Sequence, residues 1–124
     1  MAVRPSLNAV TNAELEGLVN GLAHQSYAQM LDPATAKKIP VLYTSSIRYK
    51  LEPAGQEIWQ SAYETARLGY GDCEDLVAYR LAELWKDGIK ARAKVLSITP
   101  TLRHVVLVHK NGDIEDPSKA LGMK

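Results

Sequence analysis

The residues best able to do chemistry lie in one stretch, Gly69-Tyr70-Gly71-Asp72-Cys73-Glu74-Asp75. It holds the chain's one cysteine, and an apolar run of helical period follows at once. The thiol is thereby placed in the first turn of a helix, where unpaired backbone N–H groups carry partial positive charge. That field stabilises a thiolate and draws its pKa toward neutrality, giving a usable nucleophile. Asp72 stands as N-cap, with Asp75 as its partner three residues on. The glycines are expected to leave room above the sulfur and to allow backbone angles that other residues avoid. Position alone does not decide the matter. A lone cysteine is often a small buried hydrophobe, and Asp72, Glu74 and Asp75 would raise a thiol pKa if they pointed at it.

A thiolate nucleophile needs an imidazole to share its proton, and the imidazole needs an acceptor to fix its tautomer. The histidines are His24, His104 and His109. His24 falls within the first helix as a surface or packing residue. His104 and His109 lie five apart on one strand, hence on opposite faces, so one of them can meet the helix that carries Cys73. His104 shares its face with Val106 and Val108, which favours it as the packed one, while His109 abuts a turn and is expected in solvent. Asp116, in Asp116-Pro117-Ser118, follows on the next strand and is the candidate orienting carboxylate.

The elements that must position these groups can be read in order. Residues 1–10 form an arm. Thr11 and Glu14 make a capping box, and Leu15, Leu18, Val19, Leu22 and Met30 give a helix over 12–31, ended by Asp32-Pro33. Residues 32–53 are mostly irregular, with short extended pieces at 39–43 and 47–51 and a turn at Glu52-Pro53-Ala54-Gly55. A second helix spans 56–68, burying Ile58, Trp59, Ala62, Tyr63 and Ala66, with Gly69 just past its end. A third spans 73–86 with Val77, Leu81, Leu84 and Trp85 on one face, and Gly88 stops it. The period then changes from 3.6 to 2: strands are expected over 91–98, 103–109 and 114–116. Helices followed by an antiparallel meander make an α+β domain, N-terminal helices on a small sheet, with residues 1–124 as a single unit.

The hairpin after His109 sets the register of Asp116. A two-residue Asn111-Gly112 turn would put Asp116 opposite Leu107, away from His104, and turn Glu115 toward the imidazole. A three-residue loop, Lys110-Asn111-Gly112 with Gly112 left-handed, pairs His109 with Asp113 and sets Asp116 opposite Val106, diagonal to His104. Asn-Gly favours the two-residue turn, but a Cys-His-Asp triad requires the odd loop, and the three-residue loop is the expectation on that ground, with Asp116 bonded to the imidazole and Glu115 facing solvent.

Taken together, Gly71-Asp72-Cys73-Glu74-Asp75, then Arg103-His104-Val105-Val106-Leu107-Val108, then Asp116-Pro117 resemble the transglutaminase-like core of the papain-like superfamily over residues 69–118. The resemblance implies Cys73 as nucleophile, His104 as base and then acid, and Asp116 as the carboxylate that orients it. Pro40-Val41-Leu42-Tyr43, Ile47-Arg48-Tyr49 and Glu52-Pro53 with Glu57-Ile58-Trp59 resemble small stand-alone versions encoded by tailed phages and prophages. This implies a protein of the host-cell cytoplasm, associated with a virion or its assembly, whose partners are a protein or peptide substrate and other virion proteins. The family's aromatic residue after the histidine is replaced by Val105. The backbone N–H of Cys73 is one oxyanion donor, and Trp59, Tyr43 and Gln60 are candidates for the second.

The implied activity is amide hydrolysis through a thioester, with acyl transfer to an amine as the variant chemistry. A structural or adaptor role on the same fold is the alternative from another class. Cys73, His104 and Asp116 could hold zinc but lack an evident fourth ligand. Asp72, Glu74 and Asp75 could take calcium, although capping accounts for two of them. No cofactor and no metal are expected. Charged residues make up 23% of the chain and the net charge is +1 with no basic block, so nucleic acid is not an expected partner. One cysteine forms no intrachain disulfide. The apolar run at 105–108 is far too short to span a membrane, and the N-terminus lacks the layout of a signal peptide.

Overall fold

A computed structural model describes residues 11–51, 59–100 and 102–124. The arm expected over 1–10, the turn at Glu52-Pro53-Ala54-Gly55 and residues 56–58 of the second expected helix lie outside the described residues. The first helix, α1 (Asn12–Leu31), opens on its capping box: Glu14 N–H donates to Thr11 Oγ1 at 3.0 Å, and Thr11 N–H donates back to Glu14 Oε1 at 3.0 Å. It buries Leu15, Val19, Leu22, Ala23, Ser26 and Met30. Leu18, counted in the buried stripe on the sequence, is 42% exposed, because this stripe runs through residues 15, 19, 22–23, 26 and 30 and leaves position 18 at its margin. Asp32 ends this helix and caps the next, α2 (Pro33–Ala36), through Ala34 N–H to its Oδ1 at 2.9 Å. Proline at the first helical position costs no backbone bond.

The extended piece expected at 39–43 is instead a 3₁₀ turn at Leu42–Thr44. The piece expected at 47–51 contains β1 (Arg48–Tyr49), which pairs in parallel with β2 (Tyr70–Gly71). Between them, α3 (Ala62–Leu68) is shorter than the helix expected over 56–68. Ser61 caps it in a box with Glu64, whose Oε1 accepts from Ser61 N–H at 3.2 Å, so residues 59–61 are not helical. Gly69 closes it at φ +84°, in the left-handed region where a β-carbon is penalised.

Helix α4 (Cys73–Lys86) is the centre of the molecule, with Leu76, Val77, Ala78, Tyr79, Leu81, Ala82 and Leu84 all buried. One apolar cluster joins it to α1 and the sheet through Leu15, Val19, Leu22, Val77, Leu81, Leu84, Ala93, Val95, Val105 and Leu107. A second cluster covers its other side with Met30, Leu42, Ile47, Ala62, Leu76, Tyr79, Ala82 and Leu121. Both flanks of α4 are therefore dry. At about 1.5–3 kcal/mol per fully buried aliphatic side chain, the two clusters supply the main driving force for the fold.

The sheet is antiparallel, in the order β3 (Ala91–Ser97), β4 (Arg103–His109), β5 (Ile114–Glu115). A short helix, α5 (Pro117–Ala120), follows. On β3, an edge strand, Val95 N–H donates not to another strand but to Glu16 Oε2 on α1, at 2.8 Å. The architecture is α+β: the N-terminal helix packs with α4 and a small three-stranded sheet. Among the described residues no helix is long and apolar enough to cross a membrane.

Candidate functional site

Cys73 is the first residue of α4 and is partly buried against the cluster shared by α1, α4 and the sheet. Asp72 caps the helix as expected, its N–H donating to Asp75 Oδ2 at 3.2 Å. Asp75 also accepts from Gln60 N–H at 2.9 Å and thereby ties the segment before α3 to the head of α4. Asp75 is 1% exposed. Burial, and then the neighbouring Asp72 carboxylate, push its carboxyl well above the ordinary range. Gly71 does not hold space open above the sulfur. Its missing side chain leaves the gap that Asp75 and Thr65 fill. The Cys73 Sγ–H donates to Glu74 Oε2 at 3.6 Å, and Glu74 is itself 2% exposed.

The hairpin has the three-residue form. Leu107 pairs with Glu115 and Val108 with Ile114, while His109 N–H donates to Asp113 O at 2.8 Å. Gly112 has φ +96°, the left-handed position that this loop needs. Asp116 accordingly comes beside His104, with His104 Nε2 and Asp116 Oδ2 2.8 Å apart. Both side chains are largely enclosed, at 15% and 17% exposure. With Nε2–H given to Asp116, Nδ1 is left as the acceptor of the neutral ring.

The reason for preferring His104 on the sequence is reversed in the fold. Val105 and Leu107, rather than Val106 and Val108, join the cluster with α1 and α4, so the helix-packed face of β4 is the one that carries His109. His104 lies on the opposite face beside Val106, itself 1% exposed. What distinguishes His104 is its bond to Asp116. Trp85 Nε1–H donates to Ala91 O at 3.1 Å, fixing the start of β3 at the tail of α4. From there β3 runs to Ser97. Leu96 pairs with His104.

His109 and Glu115 are not in solvent, as the sequence had them. Glu115 Oε1 lies 2.8 Å from His109 Nε2, and its Oε2 accepts from Arg80 Nε at 2.6 Å and from the Tyr43 hydroxyl. Burial opposes ionisation of Glu115, but the bonds from Tyr43, Arg80 and His109 outweigh it and hold the carboxyl below its ordinary range. Arg80 also pairs with Glu83 at 3.3 Å and lies over the Tyr43 ring at 4.9 Å. A groove of about 730 Å³ lies against His109, Lys110 and Ile89, at the tail end of α4 rather than at Cys73.

The candidates for the second oxyanion donor separate clearly. Gln60 Nε2 donates to Tyr70 O at 2.8 Å and to Thr65 Oγ1 at 3.2 Å, so its amide is spent on structure. Tyr43 is committed to Glu115. Trp59 packs on the same cluster as Cys73, and its Nε1 is buried with no hydrogen-bond partner among the described residues. Also among the described residues, no group of three or more His, Cys, Asp or Glu is arranged to hold a metal ion. The chain matches no protein-family model, no curated protein and no solved structure.

Proposed function

We propose that the chain is a cysteine-dependent amide hydrolase acting on a protein or peptide, built on a transglutaminase-like core. The observation that carries this reading is the 2.8 Å contact between His104 Nε2 and Asp116 Oδ2, made across a hairpin whose odd loop it requires. Such a pair holds an imidazole in one tautomer and stabilises the imidazolium formed when it takes a proton. In the proposed cycle Cys73 Sγ attacks the amide carbonyl carbon as His104 Nδ1 accepts the thiol proton. The C–N bond breaks, His104 returns that proton to the leaving amine, and a thioester remains on Cys73. Water, deprotonated by His104, then cleaves the thioester and restores the thiol. The Cys73 backbone N–H and the Trp59 indole N–H are the proposed donors to the carbonyl oxygen. The resemblance to phage-encoded stand-alone domains adds the setting: a virion or its assembly, in the cytoplasm of the host cell. Transfer to an amine in place of water is the same chemistry with another acceptor, and incorporation of a labelled amine into a glutamine peptide separates the two.

Two observations favour a second reading, a structural or adaptor protein on the same fold, and the first is that His104 lies on the face of β4 turned away from the cluster that Cys73 joins. The second is that the thiol donates to a buried carboxylate, Glu74, and a neighbouring negative charge disfavours the thiolate. Alkylation by iodoacetamide across pH decides between them. For the hydrolase, Cys73 reacts well below pH 8, His104→Ala suppresses that reactivity, and Cys73→Ser folds normally without amide-cleaving activity. A thiol titrating near the reference value of about 8.5 rejects the enzyme and leaves the adaptor.

A further inference from the structure

We propose that Glu115 is a positioning residue for the His104–Asp116 pair and acts through the backbone of β5. As a statement about catalysis this rests on the hydrolase proposal; the coupling between the two carboxylates does not. The argument begins with how little ladder β5 has. It is two residues long, paired at Leu107↔Glu115 and Val108↔Ile114. Continued by two steps, the register brings Pro117 opposite Val105, where the next inter-strand bond would need an N–H that proline lacks. Asp116 therefore stands one residue past the last paired position, and the sheet alone does not fix the direction of its side chain.

The side chains on either side of it do. Ahead, Asp116 is held as the cap of α5, its Oδ1 accepting from Lys119 N–H at 3.3 Å and its carbonyl from Ala120 N–H at 3.2 Å. Behind, Glu115 is gripped by three donors from three separate elements: His109 on β4, Arg80 on α4 and Tyr43 in the 3₁₀ turn. Adjacent residues of an extended chain point to opposite faces. Drawing the Glu115 side chain onto the helices thus turns the Asp116 side chain to the other face, where His104 lies. Two neighbouring carboxylates each hold a histidine, and the first sets the aim of the second.

The test is the exchange with water of the His104 Nε2 proton, followed by NMR on the ¹⁵N-labelled full chain, with Asp116→Asn as the marker for loss of the bond. In Glu115→Gln we expect that proton to exchange faster by about tenfold, the effect of losing a charge-assisted bond's worth of positioning. In Tyr43→Phe, which removes one of the three donors from a residue 37% exposed, a smaller acceleration is expected in a chain that keeps its fold. This second variant decides the matter if Glu115→Gln fails to fold. A role confined to stability would lower the melting temperature of these variants and leave the exchange rate unchanged; that result, or the lack of a hydrogen-bonded Nε2 proton in the wild type, overturns the proposal. If the coupling holds while Cys73 alkylates as an ordinary thiol, the hydrolase proposal fails and the positioning of Asp116 by Glu115 stands.

Discussion

Gly71 and Asp75 approach so closely that residue 71 has no room for a side chain: a Cβ there would stand 2.9 Å from Asp75 Cβ and 3.4 Å from Thr65 Cγ2. The close approach alone calls for glycine at this position, since among the described residues positive φ is confined to Gly69, Gly88, Gly112 and Gly122. Gly71→Ala is expected to destabilise the chain by about 1–3 kcal/mol, because Asp75 is pinned by two backbone N–H bonds and cannot move aside. Gly21, with nothing near its missing Cβ and a helical setting, gives the contrast: Gly21→Ala is expected to gain about 0.4–1 kcal/mol. Urea melts of both variants check the pair.

The Asp75 carboxyl makes a prediction about pH. Its pKa is raised in the folded state, so the stability it contributes is fully present below its unfolded value of about 3.9 and is lost as pH rises through the folded value. Asp75→Asn removes that loss. Unfolding free energies measured from pH 4.5 to 7.5 should show the variant gaining on the wild type as pH rises. A difference that stays constant, or moves the other way, contradicts the assignment.

Glu74 provides a direct handle on the thiol. With the carboxylate beside Sγ replaced by a neutral amide in Glu74→Gln, the thiolate becomes easier to form, and alkylation at pH 7 should accelerate about three- to tenfold. An unchanged rate means that the contact does not control the thiol.

Trp85 was expected in the core, where truncation costs about 3–5 kcal/mol. It is only partly buried, held by its bond to Ala91 O and by the His24 ring at 4.7 Å. Trp85→Ala should therefore cost about 2–3 kcal/mol, less than the full core value. Leu81→Ala, at a position with no exposure, should cost at least as much despite the smaller side chain.

What was legible in the sequence was local. Thr11 with Glu14 and Asp72 with Asp75 announce their helix starts within four residues, and α1 and α4 have the bounds read from those boxes and from the apolar spacing. The odd hairpin loop follows from the triad reading and not from the turn residues, since Asn-Gly by itself favours a two-residue turn. In the fold Asn111 holds the longer loop: its Oδ1 accepts from Asp113 N–H at 3.0 Å and its Nδ2 donates to Asp113 Oδ2 at 3.0 Å. The packed face of β4 could not be read, because Val105, Val106, Leu107 and Val108 make both faces apolar and alternation falls silent. Nor could Glu115: its partners Arg80 and Tyr43 lie 35 and 72 residues away, and the nearer one, His109, reads as solvated in the sequence. For the site, the His104–Asp116 contact was expected from the triad reading, which in turn required the register, whereas the reason for choosing His104 over His109 was not sound.

The Glu16 carboxylate on Val95 N–H has a consequence for how copies of this chain meet. An outward-facing strand N–H is a vacancy that a second sheet can fill, and chains with such edges add to one another. Here the vacancy is closed by an acid from α1, and the neighbouring strand positions Arg92 and Lys94 are exposed cations. A strand arriving from another molecule would have to displace an anion and pass between like charges, so Glu16, borrowed from 79 residues upstream, and the two cations together discourage sheet-to-sheet growth.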